Sequence, residues 1–255
     1  MEKSSKKLFI CFSAKDRYAV VQPIVYHLKN YGIDIWYDRY ELLMGDDRIE
    51  KNIKDAAIGC KYALIILSKN TINSPLAIEE INIIESRHRN NDVVVFPVLY
   101  ELAPSDIPQE FGWFRNLVFK ETNRSSGTLE VCNHIACKIT SDFLSECRYR
   151  NITDIATDNL KLLPHQITFL LDKYMRIDSA NLNSRVALLY ATYVIIVNSE
   201  NFIAGVFSVL PTKIFEKVFS ETQLNLLIDY RELWLLENAM CILIEHYISC
   251  TESKI

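Results

Sequence analysis

Short apolar runs alternate with amphipathic stretches in the first half of the chain. The apolar runs, rich in β-forming residues, are Leu8–Ser13, Ile33–Tyr37, Tyr62–Ser68, Val93–Tyr100 and Leu117–Lys120. Helical periodicity occupies Arg17–Tyr31, Asp47–Ile58, Pro75–Arg89 and, after the fifth run, Ser126–Arg148. Strand–helix alternation of this kind is typical of βαβ units. The pattern therefore predicts an α/β fold built on a five-stranded, doubly wound parallel sheet.

Two of the runs indicate strands that are covered on both faces. Ala63–Leu67 and Val93–Phe96 contain apolar residues only, as the strands of a parallel sheet between helices do. Pro97 interrupts the fourth run and removes a backbone donor. We therefore expect the fourth strand to be bulged or close to a sheet edge at this proline.

The strand pattern stops near Arg150, and helical periodicity continues to the end of the chain. The helical segments are Pro164–Ile177, Leu182–Asn198, Asn201–Leu210, Pro211–Phe219 and Glu221–Cys250. We predict an α/β domain over residues 1–150 and an all-α domain over 151–255, with the polar segment Asn151–Asn159 at the boundary. The uncharged stretch Val186–Val197 is shorter than the roughly 20 residues of a membrane span and is predicted to be a buried helix.

Composition narrows the possible functions. The chain has 255 residues, 49% of them apolar, which excludes a disordered protein. It contains six glycines and no G-x-G, so it has neither a dinucleotide-binding fingerprint nor a P-loop. The formal net charge is −4 without a basic stripe, which argues against a nucleic-acid partner.

The cysteine pattern suggests a compartment. There are seven cysteines and no C-x-x-C pair, and the N-terminus has no apolar leader. We expect reduced thiols, a cytoplasmic protein and no membrane partner. Cys132, His134 and Cys137 are close in sequence, but positions 132 and 137 diverge on a helix, so we expect small core residues there and no metal site.

The candidate site residues lie where strands end, because the ligand crevice of a doubly wound sheet lies outside the carboxyl ends of its strands. These segments are Ser13–Asp16, Trp36–Asp47, Ser68–Ser74 and the stretch after Tyr100. A phosphoacceptor receiver domain would need an aspartate after the third strand. Ser68 stands there, so a receiver-like, nucleotide-binding module has little support.

Four segments resemble the sequence boxes of TIR domains of the bacterial type, over about residues 6–148. They are Leu8–Asp16 (compare F-I-S-Y-S-x-x-D), Gly32–Asp46 (second strand and BB loop), Ser74–Ile81 (compare S-x-W-C-x-x-E-L) and Phe111–Trp113 (third box). Some TIR domains are scaffolds that signal by assembling, and others are enzymes that cleave NAD+ at the nicotinamide–ribose bond. The resemblance implies a flavodoxin-like TIR fold and places the catalytic glutamate of the second kind at Glu80.

Independently of the resemblance, Glu80 lies in the apolar stripe of its predicted helix. Its neighbours one helical turn away, Leu76, Ala77, Ile83 and Ile84, are all apolar, whereas Glu79 lies at the margin of this stripe. A carboxylate in such surroundings is a functional candidate. The alternative is that Glu80 pairs with a lysine or arginine at the edge of the stripe. Leu76 and Ala77 stand where the family pattern has tryptophan and cysteine, so the pattern's stacking wall is missing.

Five further residues are predicted to contact the substrate. Ser13 and Ser68 end strands and can donate to a phosphate or ribose. Trp36 and Asp38, two residues apart on the second strand, are expected on one face, where Trp36 stacks on a ring and Asp38 orders the following loop. Gly45 sits where this loop must turn. The alternatives are an ordinary core aromatic at Trp36 and a strand-ending turn residue at Asp38.

Two hypotheses follow from the resemblance. The first is a cytoplasmic NAD+ glycohydrolase or cyclase with Glu80 as the catalytic residue, with NAD+ as substrate and no cofactor. It would act in bacterial anti-phage immunity and be activated by self-assembly through the TIR and helical domains, with an activating ligand or protein as a further partner. The second is a non-enzymatic TIR adaptor that binds other TIR domains through the apolar BB loop, Asp38–Asp47.

Overall fold

Five parallel strands form a single sheet in the order β2-β1-β3-β4-β5. A computed structural model of the chain describes residues 8–47, 51, 57–145, 151–158, 163–222 and 228–253. The strands are β1 (Leu8–Cys11), β2 (Ile35–Trp36), β3 (Tyr62–Leu67), β4 (Val94–Tyr100) and β5 (Lys120–Thr122). The predicted fold class, a doubly wound parallel sheet of five strands, is confirmed.

Helices connect these strands, and a last one follows β5. They are α1 (Gln22–Asn30), the short α2 (Asp38–Glu41) and α3 (Lys69–Ile72), α4 (Pro75–Arg89) and α5 (Leu129–Leu144). A 3-10 turn (Ala14–Asp16) and a π-helical turn (Arg17–Val21) precede α1, and 3-10 segments occupy Pro104–Asp106 and Gln109–Asn116. The predicted helix Asp47–Ile58 lies largely outside the described residues.

The core of the sheet explains the two apolar runs. Every residue of β3 is buried, as expected for a central strand covered on both faces. In β4, Val94 and Phe96 are only half-buried. Pro97 pairs with Ile65 of β3, whereas β5 begins to pair at Val98. The predicted edge position of Pro97 is confirmed, since Pro97 pairs with β3 on one side and comes before the first residue that pairs with β5 on the other.

The second and fifth strands differ most from their predicted bounds. β2 ends at Trp36, and Asp38 is the first residue of α2, so the strand alternation that predicted a shared face for these two residues does not extend to Asp38. The fifth strand begins at Lys120 rather than Leu117. The Leu117 N–H closes the preceding 3-10 segment on the Phe114 carbonyl at 3.0 Å, and Val118 is exposed.

The second half of the chain is helical, as predicted. Its helices are α6 (Ile152–Asp158), α7 (His165–Arg176), α8 (Leu182–Val197), α9 (Val206–Thr222) and α10 (Tyr230–Glu252). The predicted break at Pro211 is wrong, because Pro211 lies inside α9. Beyond it, Phe215 is buried and stacks on Tyr193 of α8, with ring centroids 4.7 Å apart. This packing outweighs the cost of an interior proline.

The chain divides into two compact units. One comprises Met1–Lys29 and Ile33–Cys132, and the other Asn30–Gly32 and Asn133–Ile255. The predicted domain boundary between residues 150 and 151 stays a prediction. Among the described residues, no helix has both the length and the apolar character needed to cross a bilayer.

Candidate functional site

The strand order creates a topological switch point between β1 and β3. The chain passes from β1 to β2 on one side and returns to β3 on the other, which opens a crevice at the carboxyl ends of β1 and β3. Ser13 follows β1 and Ser68 follows β3, and both are buried. The structure therefore places these two predicted site residues at the mouth of the crevice.

Asp16 ties the two strand ends together. Its carboxylate accepts hydrogen bonds from the Ser68 hydroxyl at 2.5 Å and from the Asn70 side-chain amide at 2.6 Å. The Ser68 hydroxyl also accepts from the backbone N–H groups of Asn70 and Thr71, each at 3.1 Å, and so caps α3. Asp16 and Asn70 were absent from the predicted site, although Asp16 is the last residue of the first sequence box.

Glu80 lies on the buried face of α4. Ser74 caps this helix by accepting from the Ala77 N–H, and Pro75 occupies its first turn. Glu80 is only 3% exposed, whereas the adjacent Glu79 is exposed. The predicted position of Glu80 within the apolar stripe of the helix is confirmed.

The thiol of Cys11 is a direct neighbour of Glu80. Cys11 donates to the Ala77 carbonyl, with the sulfur 3.5 Å from the oxygen. Burial raises the pKa of this thiol well above its ordinary value, and the charge and hydrogen bond of Glu80 raise the pKa further. The Glu80 carboxyl group therefore lies against the last residue of β1. Sequence reasoning missed Cys11, but alternation with Phe9 along β1 indicates its direction.

Trp36 and Asp38 face different neighbours. Trp36 is 8% exposed and packs on Phe9, with ring centroids 5.5 Å apart, in the same buried cluster as Cys11. Asp38 accepts two hydrogen bonds from the Arg17 guanidinium, at 2.6 and 2.7 Å.

Arg17 is a further residue that sequence reasoning missed. Its guanidinium also donates to the Tyr37 hydroxyl at 3.1 Å and lies 5.0 Å from the ring centroid of Phe12. The hydrogen bond to Asp38 is the largest cause that raises the pKa of Arg17. This bidentate pair holds the start of the BB loop against the end of β1.

The BB loop has an ordered turn and an exposed apolar tip. Gly45 has φ = +97°, in the region that favours glycine. The Asp46 carboxylate accepts from the Leu43 N–H at 2.7 Å and pairs with Lys51 at 2.7 Å. The side chains of Leu43 and Met44 project into solvent. Gly45 therefore shapes a loop that presents two apolar side chains.

The structure gathers five of the six predicted residues into three groups, and the sixth, Gly45, forms the turn of the BB loop. Ser13 and Ser68 lie at the switch point, Glu80 and Trp36 border the same buried cluster, and Asp38 is held by Arg17. A buried carboxylate beside a strand end can stabilise a developing positive charge on a bound substrate.

Comparisons with known proteins agree with this fold. A family model described as TIR domain matches residues 8–127. Over 99 residues the chain is 25% identical to the 2′ cyclic ADP-D-ribose synthase BtTIR of Bacteroides thetaiotaomicron, covering 39% of this chain and 34% of that protein. Over 100 residues it is 27% identical to the NAD(+) hydrolase TcpC of Escherichia coli, covering 39% of this chain and 32% of that protein.

The matches cover about a third of the length of these relatives. Among solved structures, the TIR domain of the Toll-related receptor TRR-2 from Hydra magnipapillata is 18% identical, with a TM-score of 0.37, over 45% of this chain and 82% of that one. Residues 8–127 of this chain therefore match the TIR-domain family model, and this part of the chain is homologous to bacterial TIR proteins named as NAD+ hydrolases and 2′ cyclic ADP-D-ribose synthases.

Proposed function

We propose that this protein cleaves the nicotinamide–ribose bond of NAD+ and that Glu80 is its catalytic residue. The observation that carries this proposal is the burial of Glu80, at 3% exposure, beside Cys11 at the end of β1. A carboxylate is costly to bury in apolar surroundings, and such groups concentrate at functional sites. The names of the homologous TIR proteins support the same chemistry.

One carboxylate suffices for this reaction. Nicotinamide leaves as a neutral molecule from a cationic pyridinium, so the bond electrons neutralise the ring and no general acid is needed. The ribose carbon then has oxocarbenium character, as in glycoside hydrolysis. Glu80 stabilises this cation. Addition of water, with loss of a proton, yields ADP-ribose, whereas attack by a nucleophile of the same molecule yields a cyclic product.

The other predicted residues act on binding in this proposal. Ser13 donates to a phosphate or ribose oxygen, and Trp36 supplies an aromatic surface at the crevice. The one hydroxyl proton of Ser68, which was predicted to donate to the substrate, is donated to Asp16 instead, so Ser68 acts by holding the two strand ends in place. Asp38 orders the BB loop through its ion pair with Arg17, with 2.6 Å between the closest N and O atoms. Gly45 lets this loop turn beside the crevice.

The test is release of nicotinamide from NAD+ by the full chain, both as purified and fused to an oligomerising coiled coil. We expect Glu80→Gln to lower the rate by about 100-fold or more, the scale of losing one electrostatic stabiliser. Glu79→Gln is the matched control, since it makes the same change at the exposed neighbouring position. Equal turnover by the wild type and Glu80→Gln would exclude Glu80 as the catalyst.

We further propose the setting of this activity. The protein would act in the cytoplasm, in bacterial anti-phage immunity, with NAD+ as a substrate rather than a cofactor. Self-assembly through the TIR and helical domains would activate it. The exposed apolar tip of the BB loop, Leu43 and Met44, supports such assembly because apolar surface of this kind favours protein contacts.

The same loop favours a second candidate function, a non-enzymatic TIR adaptor. In that case the loop would bind other TIR domains, and the chain would release no nicotinamide even when oligomerised. Loss of TIR–TIR binding in Met44→Lys, together with no nicotinamide release by the wild type in either form, would support the adaptor. Measurable turnover that depends on Glu80 would exclude it.

A further inference from the structure

A cavity of about 410 Å³ lies within the second compact unit, the helical unit, and none of the candidate site residues lines it. It is open to solvent on one side and is lined by residues of α5, α6, α7, α8 and α10. Leu144 of α5, Ile152 of α6 and Met175 of α7 contribute apolar side chains, and Arg185 of α8 and Asn238 of α10 contribute polar ones. This volume lies in the range of small-molecule sites, about 300–1,000 Å³.

Two hydrogen-bond donors in the cavity wall are unsatisfied. Among the residues that the structure describes, neither Nε of Arg185 nor Nδ2 of Asn238 has a hydrogen-bond partner, although both atoms are buried. Asn238 is only 7% exposed as a whole. Buried donors without partners cost free energy. Both donor atoms are covered by protein, so a ligand with acceptor atoms would recover that cost once the two side chains turn toward the cavity.

The charge of the wall is balanced. Arg185 pairs with Glu237, which also lines the cavity, at 2.9 Å, and it donates to the Tyr174 hydroxyl at 2.8 Å. The guanidinium carbon of Arg185 lies 4.2 Å from the centroid of the Tyr174 ring. The positive charge of Arg185 is therefore already compensated. Its Nε–H can donate a hydrogen bond to a ligand without adding a net charge to the cavity wall. A neutral ligand suits such a wall better than an anion does.

Two partly exposed side chains of the cavity wall can pack against an aromatic ring of a ligand. Trp234 lines the cavity and is 41% exposed, and Met175 is 43% exposed. Aromatic rings and methionine sulfur both make favourable contacts with planar aromatic ligands. Together with the two donors, this surface fits a molecule that combines a flat heterocycle with acceptor atoms.

We propose that this cavity binds a neutral heterocyclic ligand of the nucleoside class. The heterocycle packs on Trp234 and Met175, and ring or sugar acceptor atoms take the hydrogen bonds of Asn238 and Arg185. The site belongs to the helical unit and is independent of whether Glu80 catalyses NAD+ cleavage.

The test is calorimetric titration of the full chain with adenosine, guanosine, cytidine and uridine, with AMP as the charged comparison. We expect at least one nucleoside to bind, and to bind more tightly than AMP. Asn238→Leu should weaken that binding at least tenfold, and so should Trp234→Ala, which changes a partly exposed position. Asn183→Leu is the matched control, because Asn183 lies exposed on α8 outside the cavity wall.

Thermal unfolding without ligand supplies an independent readout. Replacing an amide with an unsatisfied donor by leucine should leave the Tm unchanged or raise it, whereas a structural amide would lower it. The proposal is overturned if no nucleoside binds, if AMP binds more tightly than all of them, or if neither Asn238→Leu nor Trp234→Ala weakens the binding.

Discussion

Single residues of the candidate site are held by partners from other segments of the chain. Arg17 and Asp38 form a bidentate ion pair whose side chains are 15% and 8% exposed. A pair this buried is sensitive to the loss of one partner, because the remaining charge is left uncompensated.

Asp38→Asn should lower the free energy of unfolding by about 3 kcal/mol, since it leaves the Arg17 charge without its counterion. Urea denaturation measures this change. Glu85→Gln is the control: it breaks the pair with the exposed Arg89, also a close contact at 2.5 Å, and should cost less than about 0.5 kcal/mol. Equal losses in the two variants would show that burial does not set the value of the Arg17–Asp38 pair.

Cys11 should give stability a dependence on alkaline pH. Its pKa in the folded protein lies well above the ordinary 9.0, first because of burial and then because of Glu80. Above pH 9 the unfolded chain releases this proton while the folded protein keeps it, so the free energy of unfolding falls as the pH rises.

Between pH 8 and pH 10 the Cys11 thiol should lower the free energy of unfolding by about 1.4 kcal/mol. Cys11→Ala should lose less stability than the wild type over that interval, by about this amount. Urea denaturation at both pH values measures this difference between the two proteins. Burial also raises the pKa of Cys137, to about 12, but Cys137 is present in both proteins, so its contribution cancels in the comparison. Parallel losses in the two proteins would contradict the raised pKa.

At the scale of elements, local pattern and tertiary packing compete. The predicted helix Pro75–Arg89 has the bounds of α4, because Ser74 and Pro75 are local start signals that act through the chain itself. The predicted break at Pro211 failed, because packing of Phe215 on Tyr193 keeps α9 continuous. Local signals therefore predicted the start of α4, but they could not weigh a proline against contacts made by other helices.

The turn of the BB loop depends on the positive φ of Gly45. Gly45→Ala forces an L-residue to φ = +97°, although nothing lies within 4 Å of the added Cβ. The strain of about 1–2 kcal/mol should shift the loop away from its turn and lower nicotinamide release by roughly tenfold.

Gly127→Ala is the matched control for this loop. Gly127 has φ = +69° and equally open space around a Cβ, but it lies in the turn before α5. Gly127→Ala should lower the free energy of unfolding about as much as Gly45→Ala does and should leave nicotinamide release unchanged. Equal activity losses in both variants would assign the effect to general strain rather than to the BB loop.

At the scale of the whole molecule, assembly is the property to test. If the exposed Leu43 and Met44 drive self-association, sedimentation velocity should show larger species as protein concentration rises, together with a higher specific rate of nicotinamide release. Met44→Lys should reduce both. Val118→Lys is the control, because Val118 is also an exposed apolar residue, 90% exposed, outside the BB loop. A single species with constant specific activity at all concentrations would contradict activation by assembly.

The amino-acid sequence by itself determined the order of strands and helices, the parallel sheet and the apolar stripe that carries Glu80. These features follow from periodicity, which acts over a few neighbouring residues. Only the tertiary structure decided the partners: Cys11 for Glu80, Asp16 for Ser68, Arg17 for Asp38, and the cavity bordered by Asn238. Each joins residues that are distant in the chain, and the order of strands and the packing of helices decide which of them meet.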